Sequence, residues 1–574
     1  MDPARLDRAY QTARAALLAE RHPGGYWVGE LSTSALSTAV AVSALSLVDA
    51  RRHALLIDRG LAWLVANQNA DGGWGDTVKS FSNISTTLLC QSVFYLTDPY
   101  DQHGESHYRC RQWLKRYGKT PAEIAEAVRA RYGKDRTFSV PILMTCALAG
   151  LVEWREVPSL PFEMACFPQS WYRFLGLPVV SYALPALIAI GQAVHHHRPS
   201  WNPVARLVRK AAVGPSLRVL TRIQPPNGGF LEAAPLTAFV TMGLASSGRK
   251  DHPVVVKAVE FLVASVREDG SWPIDTNLST WVTTLAVNAL ASAGDLEGLD
   301  RKEELVAWLV RQQYRERHAF TGADPGAWAW TPLPGGVPDA DDTPGAILAL
   351  IELMVELGGS HWIELNRGAR WLSDLQNRDG GIPTFCRGWG KLPFDRSGSD
   401  LTAHTLRAWN TLGWAAKPTR RAFDYLAREQ RSDGSWLPLW FGNQHAPDDI
   451  NPTYGTARVL LAYCDLRFWK ESEPARRAVA WLIANQNPDG GWGGCLGTPS
   501  SVEETSLAVE ALLAATDTGT AVERGLMWLC DAVEAGKLHE PTPIGFYFAK
   551  LWYFERMYPI VFAVSALGRA RRER

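Results

Sequence analysis

Residues 338–343 read Pro-Asp-Ala-Asp-Asp-Thr, and about sixty residues on the chain reads Asp400-Leu-Thr-Ala-His404. Three carboxyls within four positions, Asp339, Asp341 and Asp342, repel one another as anions, so the group holds a proton that each alone would lose. A histidine tunes how strongly that proton is held. The combination suggests an acid that protonates something very unreactive, and such an acid must itself be fully protonated and poorly solvated. A raised pKa alone makes a weaker acid, and a charged His404 would offset this by stabilising the conjugate base. Each motif also has a plainer reading. Asp341-Asp342-Thr343-Pro344 precedes the apolar run Ala346–Met354 and suits a helix N-cap with proline in the first turn. Asp400 suits the cap of a helix over 401–414, with His404 one turn along in the core.

The rest of the chain suits an apolar, aromatic reaction space. Of 574 residues 24 are Trp, more than a core of this size requires. Lys+Arg and Asp+Glu are both 59, and a net charge of zero argues against a nucleic-acid partner. The eight cysteines form no Cys-x-x-Cys pair and no Cys/His spacing of a zinc site, and read as reduced core residues. His195-His196-His197 precedes Arg198-Pro199 and reads as a solvated loop, not a metal site. Asp341-Asp342-Thr-Pro-Gly345 lacks the final acid of an Asp-Asp-x-x-Asp run, so ionisation of a diphosphate by Mg²⁺ is not the expected first step. No metal and no cofactor is expected. The N-terminus reads as a charged helix and not as a signal peptide, and a cytoplasmic location is expected. The most apolar window, Leu175–Val194, contains Pro178 and Pro185 and reads as a buried helix pair, with a monotopic dip into a membrane leaflet as the alternative.

What positions the acid is a repeat. Six variants of Gln-x-x-x-Gly-x-Trp begin at Gln68, Gln224, Val266, Gln376, Gln430 and Gln486, the last three 54 and 56 residues apart. An aromatic-Leu pair precedes most copies, as in Trp63-Leu64 and Trp481-Leu482, and a second apolar helix pattern follows each Asp-Gly turn. The period fits two helices per repeat, and strand-period runs are scarce. The predicted fold is all-α: two α/α barrels of helical hairpins. The expected division is an N-terminal helix over 1–20 packing on a barrel, a first barrel over 21–235 and a second over 236–574 carrying the acid motif.

Taken in order, Gly25-Tyr26-Trp27, the repeats, Trp328-Ala-Trp330, Pro338–Thr343, Asp400–His404 and Ala566-Leu567-Gly568-Arg569 resemble the class II triterpene cyclases, the squalene–hopene and oxidosqualene cyclases. The resemblance covers nearly the whole chain. It implies two barrels around a large cavity, Asp341 as the residue that delivers the proton, and His404 beside the Asp339/Asp341/Asp342 cluster. It places Trp330, Phe385 and Tyr547 at aromatic positions of the cavity, where ring faces stabilise cations without quenching them. It also marks departures. Thr237 or Leu236 stands where bacterial cyclases carry Trp, Ile382 ends the fourth repeat, and Lys550 and Leu551 occupy a segment that is usually neutral and aromatic. The reaction implied is proton-initiated polycyclisation of squalene or a similar linear polyprenyl hydrocarbon, giving fewer rings than hopene or using a shorter substrate. The implied partners are this small isoprenoid and a membrane surface, held peripherally and monotopically. A homodimer stays open. The alternatives are a cyclase of a prenyl diphosphate, with Lys550 and Arg556 as candidate phosphate contacts, a protein prenyltransferase subunit, which would need zinc, and a non-catalytic helical-repeat binding protein.

Overall fold

A computed structural model describes residues 1–97, 102–133, 135–358, 361–466, 472–515, 519–547 and 550–573. Eleven apolar helices among these form two closed inner rings. The first ring holds α1 (Ala35–Asp49), α2 (Ile84–Thr97), α3 (Arg136–Leu148), α4 (Val179–His197) and α5 (Ala234–Ser246), each packed on the next and α5 on α1. The second ring holds α6 (Ser279–Ser292), α7 (Asp342–Leu357), α8 (Ser399–Thr411), α9 (Pro452–Asp465), α10 (Val502–Ala514) and α11 (Tyr558–Arg572), closed by α11 on α6. The inner helices are apolar on nearly every face because they are covered on both sides; α1 buries all residues from Ala35 to Leu45. The outer helices are amphipathic. Ala416–Glu429, for example, buries only Ala422, Tyr425 and Leu426. The N-terminal helix Pro3–Ala19 packs on α11 and on the outer helix Thr520–Glu534, and so completes the outer layer of the second barrel.

The repeat holds each hairpin to the next. In the copy at Gln486, Trp492 Nε1 donates to Leu482 O (2.8 Å), its amide donates to Thr505 Oγ1 (2.9 Å), and Gln486 Nε2 bridges Gly490 O (2.7 Å) and Ala521 O (2.8 Å) at the start of the next outer helix. Arg524 of that helix donates back to the Asn487 and Pro488 carbonyls. Turn carbonyls that would otherwise be orphaned are thereby satisfied by side chains. The turn needs glycine: Gly380 has φ 95°, and a Cβ there would lie 2.3 Å from Arg421 O.

The same bonds reveal a repeat that the spacing concealed. Trp328 Nε1 donates to Leu309 O (2.8 Å), its amide to Thr343 Oγ1 (3.0 Å), and Gln313 Nε2 to Gly326 O (2.7 Å). A longer turn separates Gln313 from Trp328. Trp27 likewise donates to Leu17 O and Thr283 Oγ1.

Four expectations are corrected. Helix α5, with the outer helix Pro253–Ala264 on it, closes the first ring, so the boundary expected at 235/236 falls one hairpin too early. Leu175–Val194 is not a helix pair: Val179–His197 is one helix, with Pro185 inside it, long and apolar enough to cross a membrane but two-thirds buried as a barrel wall. The three histidines form its last turn and not a loop; His197 stacks on Trp154 at 4.2 Å. Not all the cysteines are core residues: Cys166 is exposed and Cys464 and Cys495 are only partly covered.

Candidate functional site

A cavity of about 470 Å³ lies between the two rings, within the ~300–1,000 Å³ typical of small-molecule sites. The first ring contributes Phe138, Tyr182, Ile190 and Phe239, and the second contributes Trp281. The turns above the second ring add Trp330, Phe385 and Trp440, and the C-terminal segment adds Tyr547 and Tyr553. Asp339, Asp341 and Asp342 lie in the same wall.

The acid motif is built on the concealed repeat. Asp339 N donates to Trp328 O (3.0 Å) and Ala340 N to Thr384 O (2.8 Å), which fixes the segment before α7. Asp339 Oδ1 then accepts the amides of Asp341 (2.8 Å) and Asp342 (2.7 Å), and Thr343 Oγ1 donates to Asp339 O (2.6 Å). Asp341 stands at the N-cap position of α7 but makes no side-chain capping bond; Asp339 supplies those bonds from two residues upstream. The positive end of the helix favours any carboxylate formed there. The plainer reading expected the cap from Asp341-Asp342; the side-chain capping bonds come from Asp339 instead.

Asp339 and Asp342 are almost fully buried, whereas Asp341 keeps 26 % of its side chain open. Burial, and then the charge of Asp339, push Asp342 well above the ordinary carboxyl range. Burial raises Asp339 to about 7, against a hydrogen bond from the Asp342 carboxyl that favours its ionised form. The pair therefore retains protons near neutrality.

His404 Nδ1 lies 3.5 Å from Asp341 Oδ1, one helical turn past Asp400 on α8. Burial lowers its pKa, and the bond to Asp341 opposes that in part. Asp400 is no cap of α8; Gly398 holds that position. Asp400 Oδ1 accepts the amide of Leu439 (3.1 Å), and burial followed by repulsion from Asp341 raises the group to about 7.

Of the aromatic positions, Trp330 and Phe385 meet edge to face, with centroids 6.5 Å apart. Trp330 Nε1 is buried without a partner among the described residues. Tyr547 lines the cavity and donates its hydroxyl to Asp275 Oδ2; Phe548 beside it lies outside the described residues. Thr237 does not line the cavity. Its Oγ1 accepts the amide of Phe230 (3.0 Å), the role Thr505 has for Trp492, and Leu236 faces the cavity instead. Phe239, one turn along α5, supplies a ring on that wall. Of the remaining departures, Ile382 is buried in the core, Leu551 lines the cavity, and Lys550 is exposed.

Sequence reasoning missed Tyr182, Asp275, Trp281, Trp440 and Tyr553. Trp281 and Trp440 carry a faint signal, since each follows a repeat as Phe385 does. The others carry none.

With this geometry in place, similarity to known proteins is informative. Profiles of the squalene–hopene cyclase C-terminal and N-terminal domains match residues 277–572 and 10–96. A probable squalene–hopene cyclase of Sinorhizobium fredii is 24% identical, covering 100% of this chain and 98% of the relative. The squalene–hopene cyclase of Alicyclobacillus acidocaldarius is 29% identical over 85% of this chain and 91% of its own. The ent-copalyl diphosphate synthase of Streptomyces platensis shares the fold, with a TM-score of 0.57, 19% identity and 99% of both chains covered. The chain belongs to the squalene–hopene cyclase family and is a class II terpene cyclase.

Proposed function

We propose that the chain cyclises squalene or a similar linear polyprenyl hydrocarbon, with Asp341 as the proton donor. The observation that carries this reading is the pairing of the acid cluster with an apolar, aromatic cavity. All three carboxyls of the cluster line the cavity, and Asp341 is the least buried of them and makes no side-chain capping bond. The coupled Asp339–Asp342 pair keeps negative charge from building beside it. His404 and the helix N-terminus stabilise the carboxylate that remains once the alkene has taken the proton. Trp330, Phe385 and Trp440 then offer ring faces to the migrating cation, each worth ~2 kcal/mol or more when desolvated.

The prenyl diphosphate reading needs cations at the cavity. Arg556 is instead paired with Glu20 at the surface, 2.6 Å away, and Lys550 is exposed outside the lining. Arg136, at the exposed rim, is the cation among the described lining residues. It is the residue on which that second reading would rest.

A hydrocarbon of this kind resides in a bilayer, so the enzyme must draw it from there. Leu160 lines the cavity, and the chain that follows presents Phe167, Trp171, Phe174 (90% exposed) and Leu175. Trp201, Val204 and Leu207, at the start of the helix Pro203–Ile223 that packs on the turn Phe162–Cys166, extend the exposed apolar surface. This surface is the proposed monotopic membrane contact of a cytoplasmic enzyme. The barrel helix Val179–His197 is not. Detergent should release the protein from membranes where salt does not, and Phe174→Glu/Trp201→Glu should leave it in the soluble fraction.

The deciding experiment supplies squalene, oxidosqualene and geranylgeranyl diphosphate separately and identifies products by mass and retention. Cyclised squalene, formed equally well in EDTA, supports the proposal. Turnover of the diphosphate alone would overturn it. Leu236 and Leu551 in place of large aromatics favour a product with fewer rings than hopene, although Phe239 narrows that gap.

A further inference from the structure

A cyclase must end its cascade as well as start it, and the cavity holds a second carboxyl suited to that task. Asp275 follows the short strand Trp272–Pro273 and precedes α6. It is buried in the cavity wall, with Ile274 and Leu278 beside it. The carboxyls of the lining outside the acid motif are Asp275 and Asp135. Asp135 is occupied in capping α3, accepting the amide of Thr137 at 2.8 Å. Asp275 has no such structural duty. The hydrogen bond it accepts among the described residues is from the Tyr547 hydroxyl, on Oδ2, while Oδ1 accepts none.

Its neighbour Glu232 shows the contrast. That carboxylate is fully buried and saturated by the amide of Gly335 (2.7 Å), Asn227 Nδ2 (2.8 Å) and Thr276 Oγ1 (3.4 Å). It holds the turn at Gly335 and is not open to substrate. Burial raises the Glu232 carboxyl above its ordinary range, against the bonds from Asn227, Gly335 and Thr276. Burial, opposed by the Tyr547 bond and assisted by Glu232, raises Asp275 to about 7, within the range in which a carboxyl exchanges a proton near neutrality.

The location is equally specific. Trp330 O accepts the amides of Thr280 (3.0 Å) and Trp281 (3.1 Å), which joins the Asp275 segment to the Trp328–Asp339 segment. Acid and second carboxyl therefore line one cavity on segments that are tied together, and Tyr553 is within electrostatic reach of both Asp341 and Asp275. An anion in an apolar cavity would collapse onto a cation or remove its adjacent proton, so it is tolerable only where the cascade stops.

We propose that Asp275 is the base that ends the reaction, with Tyr547 as its positioning residue. The C–H bond next to the final cationic carbon breaks and its electron pair becomes the new C=C bond. The proton goes to Asp275 Oδ1, and Tyr547 holds Oδ2 so that Oδ1 faces the substrate. No co-reactant is consumed. The inference rests on class II cyclisation and not on the choice of substrate.

The test compares wild type, Asp275→Asn and Tyr547→Phe by product profile. Squalene and geranylgeranyl diphosphate are supplied in parallel, so that a wrong substrate shows as turnover of the other and not as a failure of the base. Wild type should yield an alkene. Asp275→Asn should consume substrate within about threefold of the wild-type rate but lower the share of that alkene at least tenfold, with a water-captured alcohol or another alkene isomer in its place. Tyr547→Phe should shift the profile the same way to a smaller extent, and serves if Asp275→Asn fails to fold. A purely structural role would lower consumption and leave the product ratio unchanged. That result, an unchanged profile in both variants, or a wild-type product that is an alcohol would overturn the proposal.

Discussion

His404 Nδ1 stands 3.5 Å from Asp341 Oδ1, and the two are brought together from successive helices of one ring, α8 and the N-terminus of α7. In the proposed mechanism this histidine stabilises the carboxylate left behind by proton transfer. His404→Ala should lower kcat by ~10²-fold or more, in line with the contribution of a positioned proton-transfer partner. His404→Gln, which keeps a donor, should retain more activity. The check is kcat for folded variants; equal losses in the two would show that the imidazole only fills space.

The carboxyl cluster gives stability and activity the same pH sense. Asp339 and Asp400 are both raised from 3.8 to about 7. A raised folded-state pKa means that the folded chain binds the extra proton, so the associated stability is full below about 4 and is lost as pH rises through about 7. Activity should fall over the alkaline part of the same window. Asp339→Asn keeps an Oδ1 acceptor for the amides of Asp341 and Asp342 while removing the charge. It should raise the melting temperature at pH 8 more than at pH 5, by the equivalent of ~1–3 kcal/mol, and lower activity at both. Thermal unfolding at the two pH values tests this.

Trp330 faces the cavity beside Phe385, with no partner for its indole N–H among the described residues. Loss of one desolvated ring face, ~2 kcal/mol, corresponds to ~30-fold in rate. Trp330→Ala should show that loss in kcat and a shift toward early-terminated products, whereas Trp330→Phe should lose far less. Steady-state kinetics with product analysis distinguishes the two.

The repeats act on stability. Trp492→Ala removes a fully buried indole and its bond to Leu482 O and should cost ~3–5 kcal/mol. Gln486→Ala leaves the Gly490 carbonyl without this donor and cuts the tie to Ala521 O of the next helix, and should cost ~1–3 kcal/mol. Chemical denaturation of the full chain measures both.

How far the molecule was legible in its sequence follows from how local each signal is. The Asp-Gly turns and aromatic-Leu pairs are contiguous, so the hairpin and its period could be read directly. The repeat at Trp328 was hidden because its turn is long; only the bonds to Leu309, Thr343 and Gly326 identify it. The acid motif was legible as three carboxyls, but not that Asp339 supplies the capping bonds, since that depends on backbone direction. Thr237 was misread because a threonine serving the repeat and a lining residue differ by one position on α5. Asp275 and Tyr547 lie 272 residues apart, and no local pattern joins them.

The most direct measurement is the turnover of Asp341→Asn. An amide of the same shape has no acidic proton at any useful pH, and Asp341 makes no capping bond whose loss would disturb the fold. The account predicts a protein with wild-type circular dichroism and melting temperature that forms no detectable cyclic product. Substantial cyclisation by that folded variant would contradict it.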